Sequence, residues 1–248
     1  MTSFLKHNTA QNDRYWDLDA LRGLAILAMI IFHLIFDLSY FGLISADTIY
    51  KPGWVFFQQI IAGIFLFVAG VGFDLCHGQR IKWQYIKRRM LILGLLSALI
   101  SGVTFMIFGL FWIKFGILHC ILASSLIASL IVILSTFRMF ILIAFLAAFY
   151  LYLNPPVAIP SSFDFLITTI HPHYSVDYRP IFPWLIVFLV GMLASRIIWR
   201  SRRPKFYYNL KLINSLKILI ILGKNSLLIY MIHQPILFSV LYVYAFLG

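Results

Sequence analysis

The sequence predicts an all-α, polytopic membrane bundle of about seven transmembrane helices, and three observations predict it. Hydrophobic residues make up 62% of the 248-residue chain and charged residues only 11%, with a mean hydropathy of +0.94; a soluble domain of this size needs about 25% charge to cover its surface. Apolar runs of about 20 residues, enough to cross a hydrocarbon core, recur along the whole chain. The basic residues outnumber the acidic ones by 20 to 8 and fall between these runs in alternate loops. No polar stretch is long enough for a soluble domain. Residues 1–248 therefore read as a single integral-membrane domain, with 1–17 a cytoplasmic N-terminal segment and 154–179 an extracytoplasmic loop.

In chain order the spans are expected at 20–43, 54–76, 88–111, 116–135, 138–153, 180–199 and 218–247. The first is preceded by a polar stretch and followed by "FDLSYFG" rather than a small-residue cleavage site, so it is retained and is not a signal peptide. The second and third are separated by a basic break, Arg80, Lys82 and Lys87 to Arg89. The fourth opens at "FGILHC", and the fifth is the shortest. The long connection after it carries Pro155, Pro156, Pro160, Pro172, His171 and His173, which suits an ordered lid or re-entrant cap better than a helix. In the sixth, "FPW" starts a helix. The seventh contains Pro235, which frees a backbone carbonyl in the turn before it.

The N-terminus (Lys6, Arg14, Arg22), the second loop, Arg138 in the fourth and Arg196 through Lys224 in the sixth hold 17 of the 20 basic residues. Lys51, Lys114 and Arg179 are left for the other side. Under the positive-inside rule this places the N-terminus in the cytoplasm and the C-terminus outside, which requires an odd number of spans. The basic excess sits at helix ends, which is topology and not a nucleic-acid surface. All eight acidic residues are Asp, which excludes a glutamate base and the H-E-x-x-H metallopeptidase pattern. Cys76 and Cys120 are expected near opposite membrane faces, too far apart for a disulfide. The two histidines of "HPH" lack a third ligand in register, so no metal is expected.

The first span, "LDALRGLAILAMIIFHLIFDL", carries Asp19, Arg22, His33 and Asp37. At about 100° per residue these fall within roughly 60° of one another around the helix. A rise of about 1.5 Å per residue puts His33 roughly 16 Å beyond Arg22, with Asp37 one turn further. Ionisable groups within a span cost several kcal/mol unless they face a bundle interior or a water-filled cavity, so the stripe reads as an interior polar path. It also reads as His33 and Asp37 satisfying each other or a neighbouring backbone, with Arg22 snorkelling to headgroups. The last span repeats the device: Ser226, Tyr230 and His233 share a face, with Gln234 beside them, and His233 reads equally as a helix–helix hydrogen-bonding group. His119 is expected at the depth of His33 and Asp37. At the outer mouth Asp177 and Arg179 are placed to pair, and Trp184 is an interfacial anchor or a substrate platform.

Taken together, "RYWDLDALRGLAILAMIIFH", "FGILHCI", "DYRPIFPWLIVFLVGM" and "LGKNSLLIYMIHQP" resemble the bacterial DUF1624 family, related to the catalytic domain of heparan-alpha-glucosaminide N-acetyltransferase. The opening "D-x-L-R-G" at Asp19, Leu21, Arg22 and Gly23, leading to His33, is similar to the broader transmembrane acyltransferase superfamily. The lysosomal relative departs from this chain in having an asparagine near the place of His33. The resemblance implies acyl transfer from a cytoplasmic acyl-CoA, commonly acetyl-CoA, to a carbohydrate or lipid-linked hydroxyl or amine acceptor. It implies a bacterial cytoplasmic (inner) membrane. On that reading His33 is the base, because imidazole titrates nearest neutrality, with Asp37 or His119 orienting it. Arg22 with Asp19, Arg14 and Arg88 would meet the donor's phosphates, and Asp177, Arg179, Trp184, Tyr230, His233 and Gln234 would line the acceptor pocket. Partners are then the lipid bilayer, the donor and the acceptor, with homo-oligomerisation left open and no nucleic acid. A small proton-coupled transporter also wants His and Asp along an internal path, and a non-catalytic membrane subunit explains the hydrophobicity without the stripe.

Overall fold

The computed structural model describes residues 15–78, 80–153, 165–167, 177–200 and 214–247. Arg14, His171, His173 and most of the 154–179 loop lie outside the described residues. The described chain is helical, and its only β-type contact is a single bridge between Ile167 and Phe182. In order the helices are α1 (Trp16–Tyr40), α2 (Pro52–His77), α3 (Trp83–Phe108), α4 (Ile117–Ile131), α5 (Thr136–Leu153), α6 (Ile181–Ala194) with a π-helical turn at Ser195–Trp199, α7 (Lys217–Lys224) and α8 (Ser226–Leu247). Among the described residues six helical segments are long and apolar enough to cross a membrane, and α4 is a shorter apolar one. The chain is an integral membrane protein of about seven spans, as the hydropathy requires.

Two boundaries move for physical reasons. The seventh span begins at Ser226 and not at 218, because the chain turns at Asn225 and leaves α7 as a separate short helix. The third begins at Trp83, so Lys87 to Arg89 sit in its first turns and not in a loop. Long basic side chains are good helix formers and reach water from there.

The chain divides into two compact units, Met1–Phe65 with Pro204–Gly248, and Leu66–Arg203. In the first, Ile26, Met29 and Phe32 of α1 and Ile61 of α2 form a core against Trp54, Phe57, Ile229 and Tyr230. The spacing of 26, 29 and 32 is one helix face. The opposite face, Leu24, Leu27, Ile31 and Leu34, is exposed and equally apolar, as a lipid-facing surface must be. Two glycines let α1 and α7 touch through their backbones: a Cβ on Gly23 would collide with the Leu219 carbonyl, and one on Gly223 with the Asp19 carbonyl. Asp19 pairs with 223 and Gly23 with 219, so the two helices run antiparallel. Between α1 and α2 the exposed Ser45 hydroxyl and the Lys51 ammonium hold the Asp47 carboxyl below the usual carboxylate range.

In the second unit α2 and α6 cross in the same manner, with Gly70 against the Phe188 carbonyl and Gly191 against the Phe67 carbonyl. Small residues at such crossings replace the hydrophobic drive that a bilayer removes. Phe73, Phe188, Leu189 and Met192 fill the space around the crossing and are fully buried.

Candidate functional site

The polar stripe of α1 faces the interior of its own unit. Asp19 and Asp37 are buried and His33 is half-buried, so the charges read from the sequence point away from lipid. Alongside α1, α8 runs parallel: Met29 packs with the Ile229 and Tyr230 region, the rings of His33 and His233 lie 4.9 Å apart, and Phe41 meets Phe238 at 5.0 Å. The order of contacts follows the order of residues. Asp37, one turn beyond His33, accepts at Oδ1 from Nε2 of Gln234, the residue after His233, at 2.7 Å. The two helices expected to carry chemistry thus bring His33, Asp37, His233 and Gln234 together, with the Tyr230 ring 5.8 Å from that of His233.

Aromatic groups enclose this cluster. Phe32 stands edge-on to His33 at 5.6 Å, and Trp54 lies 6.4 Å from Phe32. Low polarity around the imidazoles strengthens every electrostatic contact inside. His233 Nδ1 is 2.8 Å from the Tyr230 carbonyl oxygen. Its Nε2, Asp37 Oδ2 and Gln234 Oε1 are buried with no hydrogen-bond partner, which is costly in a purely structural cluster. At the other end of the stripe Arg22 Nη1 donates to Asp19 Oδ1 at 3.1 Å, and its side chain is 28% exposed. Asp19 therefore fixes a guanidinium that still reaches the surface.

The second unit gathers the other expected residues. Asp177 Oδ2 accepts from the Ile117 N–H at 3.1 Å, at the start of α4, and Arg179 Nε lies 3.6 Å from Asp177 Oδ1. The Arg179 guanidinium stands 5.9 Å over the Trp184 ring, a cation–π contact. His119 Nδ1 accepts from the Gly116 N–H at 3.3 Å, and its Nε2 is 3.3 Å from Ser101 Oγ. Since Nδ1 accepts, Nε2 carries the hydrogen and donates to Ser101, whose own hydroxyl donates to the Ile113 carbonyl at 2.7 Å. Ser101, His119 and Asp177 look like a nucleophilic triad by composition, but the hydrogens run the wrong way for one: the imidazole does not accept the serine proton. His119 and Asp177 cap the start of α4, and Ser101 holds the turn before it. Arg88 is exposed in the first turns of α3.

Sequence reading missed Asp74 and its partners. Asp74 is fully buried near the end of α2, with Arg196 Nε at 2.9 Å from its Oδ1 and Arg200 Nε at 3.5 Å from its Oδ2. Arg196 also donates to the carbonyls of Leu134 and of Val132, the latter at 2.8 Å. The signal was one carboxylate in the apolar run "VGFDLCH", which by itself marks a buried functional or clamping group. Among the described residues no three His, Cys, Asp or Glu side chains gather to hold a metal.

No curated protein and no solved structure matches the chain. The family profile described as heparan-alpha-glucosaminide N-acetyltransferase, catalytic, matches residues 14–235, a stretch that holds both the α1 stripe and the His233–Gln234 turn of α8. The chain belongs to the heparan-alpha-glucosaminide N-acetyltransferase catalytic family.

Proposed function

We propose that the protein transfers an acetyl group from cytoplasmic acetyl-CoA to a hydroxyl or amine of a carbohydrate or lipid-linked acceptor at or across a bacterial inner membrane. The observation that carries this reading is the pair of imidazoles on α1 and α8, 4.9 Å apart, one half-buried and one buried, inside a chain of an acetyltransferase family. A hydroxyl or amine needs a base near neutral pH to attack a thioester, and imidazole is the side chain suited to it. Asp37, held by Gln234, gives the pair a carboxylate neighbour. Arg22, braced by Asp19, is suited to a donor phosphate at the end of the stripe taken as cytoplasmic. Asp177, Arg179 and Trp184 are suited to the acceptor's entry. The family match runs through both units, which supports residues 1–248 working as one catalytic domain.

The test uses the full chain in nanodiscs, with acetyl-CoA as donor and glucosamine as probe acceptor, and follows release of the CoA thiol together with acetylated product. Acetyl transfer above the uncatalysed rate is expected. Arg22→Ala should weaken acetyl-CoA binding by roughly 1.5–3 kcal/mol, the range of a lost hydrogen bond between charged groups, with a smaller change in the rate at saturating donor. A protein that binds no acetyl-CoA but moves protons or a solute in liposomes would replace this reading with a transporter, which the His and Asp stripe also suits.

A further inference from the structure

We infer that the proton of the attacking hydroxyl or amine is taken by Nε2 of His233, with His33 as the residue that positions the ring. The inference rests on the acyl-transfer reading above and adds to it the atom, the tautomer and the helix.

The hydrogen bond at Nδ1 decides the tautomer. A carbonyl oxygen only accepts, so the 2.8 Å contact with the Tyr230 carbonyl requires the hydrogen on Nδ1. A neutral imidazole protonated there carries its lone pair on Nε2. That atom is buried and has no partner within the protein. A base needs this arrangement: one nitrogen tethered so that the ring cannot turn, the other open for a proton. On taking the proton the ring keeps its bond to Tyr230, so no reorientation accompanies the transfer.

The neighbouring residue points the same way. A carboxylate oxygen accepts the Gln234 Nε2 hydrogen at 2.7 Å, which fixes the amide orientation and leaves Oε1 buried and unsatisfied. Consecutive residues of α8 thus present two acceptors, Nε2 of His233 and Oε1 of Gln234. Together they call for a group that brings donors, such as a hydroxyl or an amine. The His33 ring, 4.9 Å from His233 and flanked by Phe32 and Phe36, closes one side of the site and limits the orientations open to His233.

The step balances without a further reactant. The acceptor's oxygen or nitrogen adds to the thioester carbonyl carbon while its proton passes to Nε2. Collapse of the adduct breaks the C–S bond, the electron pair leaves on sulfur, and Nε2 returns the proton to the thiolate. Acetylated acceptor and CoA thiol result, and His233 is regenerated.

Two measurements test this on the full chain in nanodiscs. Ring-¹⁵N histidine spectra, with His233→Asn identifying the signal, should show His233 neutral with its hydrogen on Nδ1; a hydrogen on Nε2 overturns the inference whatever the activity. His233→Asn is the decisive variant because its amide reaches the Nδ1 position and can still donate to Tyr230, while the Nε2 atom is gone. Acetyl transfer to glucosamine should fall by about 10²–10⁴-fold with the KM for acetyl-CoA unchanged. His33→Asn should lower it by less, and its His233 ¹⁵N signal should broaden or split as the ring loses its neighbour. An active wild type with an equally active His233→Asn variant removes the inference and leaves the function standing. An inactive wild type that also binds no acetyl-CoA removes the function reading first. Thermal unfolding of each variant separates lost chemistry from lost fold.

Discussion

Asp74 answers two guanidinium groups with one carboxylate. It is fully buried, Arg196 is nearly so, and Arg200 stands on the second carboxylate oxygen. Arg196 also fills the carbonyls of Val132 and Leu134 just past α4, where a helix end leaves acceptors open. The cluster therefore ties α2, the α4–α5 turn and the π-helical turn after α6 into one corner. π-helical turns are rare and often mark functional positions, and this one carries the buried Arg196. Removing the carboxylate strands two positive charges. Asp74→Ala should cost about 3–5 kcal/mol, as for a buried ion pair broken from one side. Replacing all three with Asp74→Leu, Arg196→Met and Arg200→Met should cost much less, because no buried charge is left unpaired. Thermal unfolding in detergent compares them; an Asp74→Ala protein as stable as wild type would remove the clamp. Gly78 belongs to the same corner, since a Cβ there would meet the Arg200 guanidinium and the Asp74 carboxylate.

At the scale of elements, helix crossings depend on bare backbone. Gly70 and Gly191 let α2 and α6 approach until each glycine meets the other helix's carbonyl. Gly191→Ala should push the pair apart and destabilise the second unit by roughly 1–3 kcal/mol, as overpacking does. A Cβ on Gly102 would have nothing within 4 Å. Gly102→Ala should therefore be neutral, or stabilising by up to about 1 kcal/mol through helix propensity. Equal unfolding temperatures for the two variants would show that the crossing tolerates a methyl group. Such crossings also explain what could be read in advance. The apolar period of α1 and the placement of Asp19, His33 and Asp37 on one face follow from 3.6 residues per turn, and the structure keeps them on one face. The pairing of α1 with α8 spans about 200 residues and is set by packing, so the His33–His233 contact had no sequence period to announce it. The break at Asn225 falls in the polar run Lys224, Asn225 and Ser226, a stop signal that the expected 218–247 span runs across. Arg196 lies inside the expected 180–199 span yet counts among the basic loop charges; its pairing with Asp74, 122 residues away, has no period in the sequence to announce it.

At the scale of the whole molecule, the α1 stripe joins Arg22 at one end to Asp37 at the other, and its use in acyl transfer depends on which end faces the cytoplasm. The count of basic residues assigns the Arg22 end to the cytoplasm, with 17 of 20 on that side. The same count puts the α2–α3 turn, with Arg80 and Lys82, on the cytoplasmic side, and the α1–α2 turn, with Ala46, on the other. Both turns are exposed at these positions, and the natural cysteines supply controls, since Cys120 is buried and Cys76 is exposed close to the α2–α3 turn. In a Cys76→Ser background, Lys82→Cys should react with a membrane-impermeant maleimide only in inverted vesicles, and Ala46→Cys only from the outside of intact cells. Cys120 should stay unlabelled from both sides until the protein is unfolded. Lys82 lies in a basic turn, so Lys82→Cys removes one charge from a loop that retains Arg80, Lys87, Arg88 and Arg89, enough to hold its side. The reversed pattern would put the Arg22 end outside, where no cytoplasmic CoA reaches it, and the donor would then have to enter from the His33 and Asp37 end.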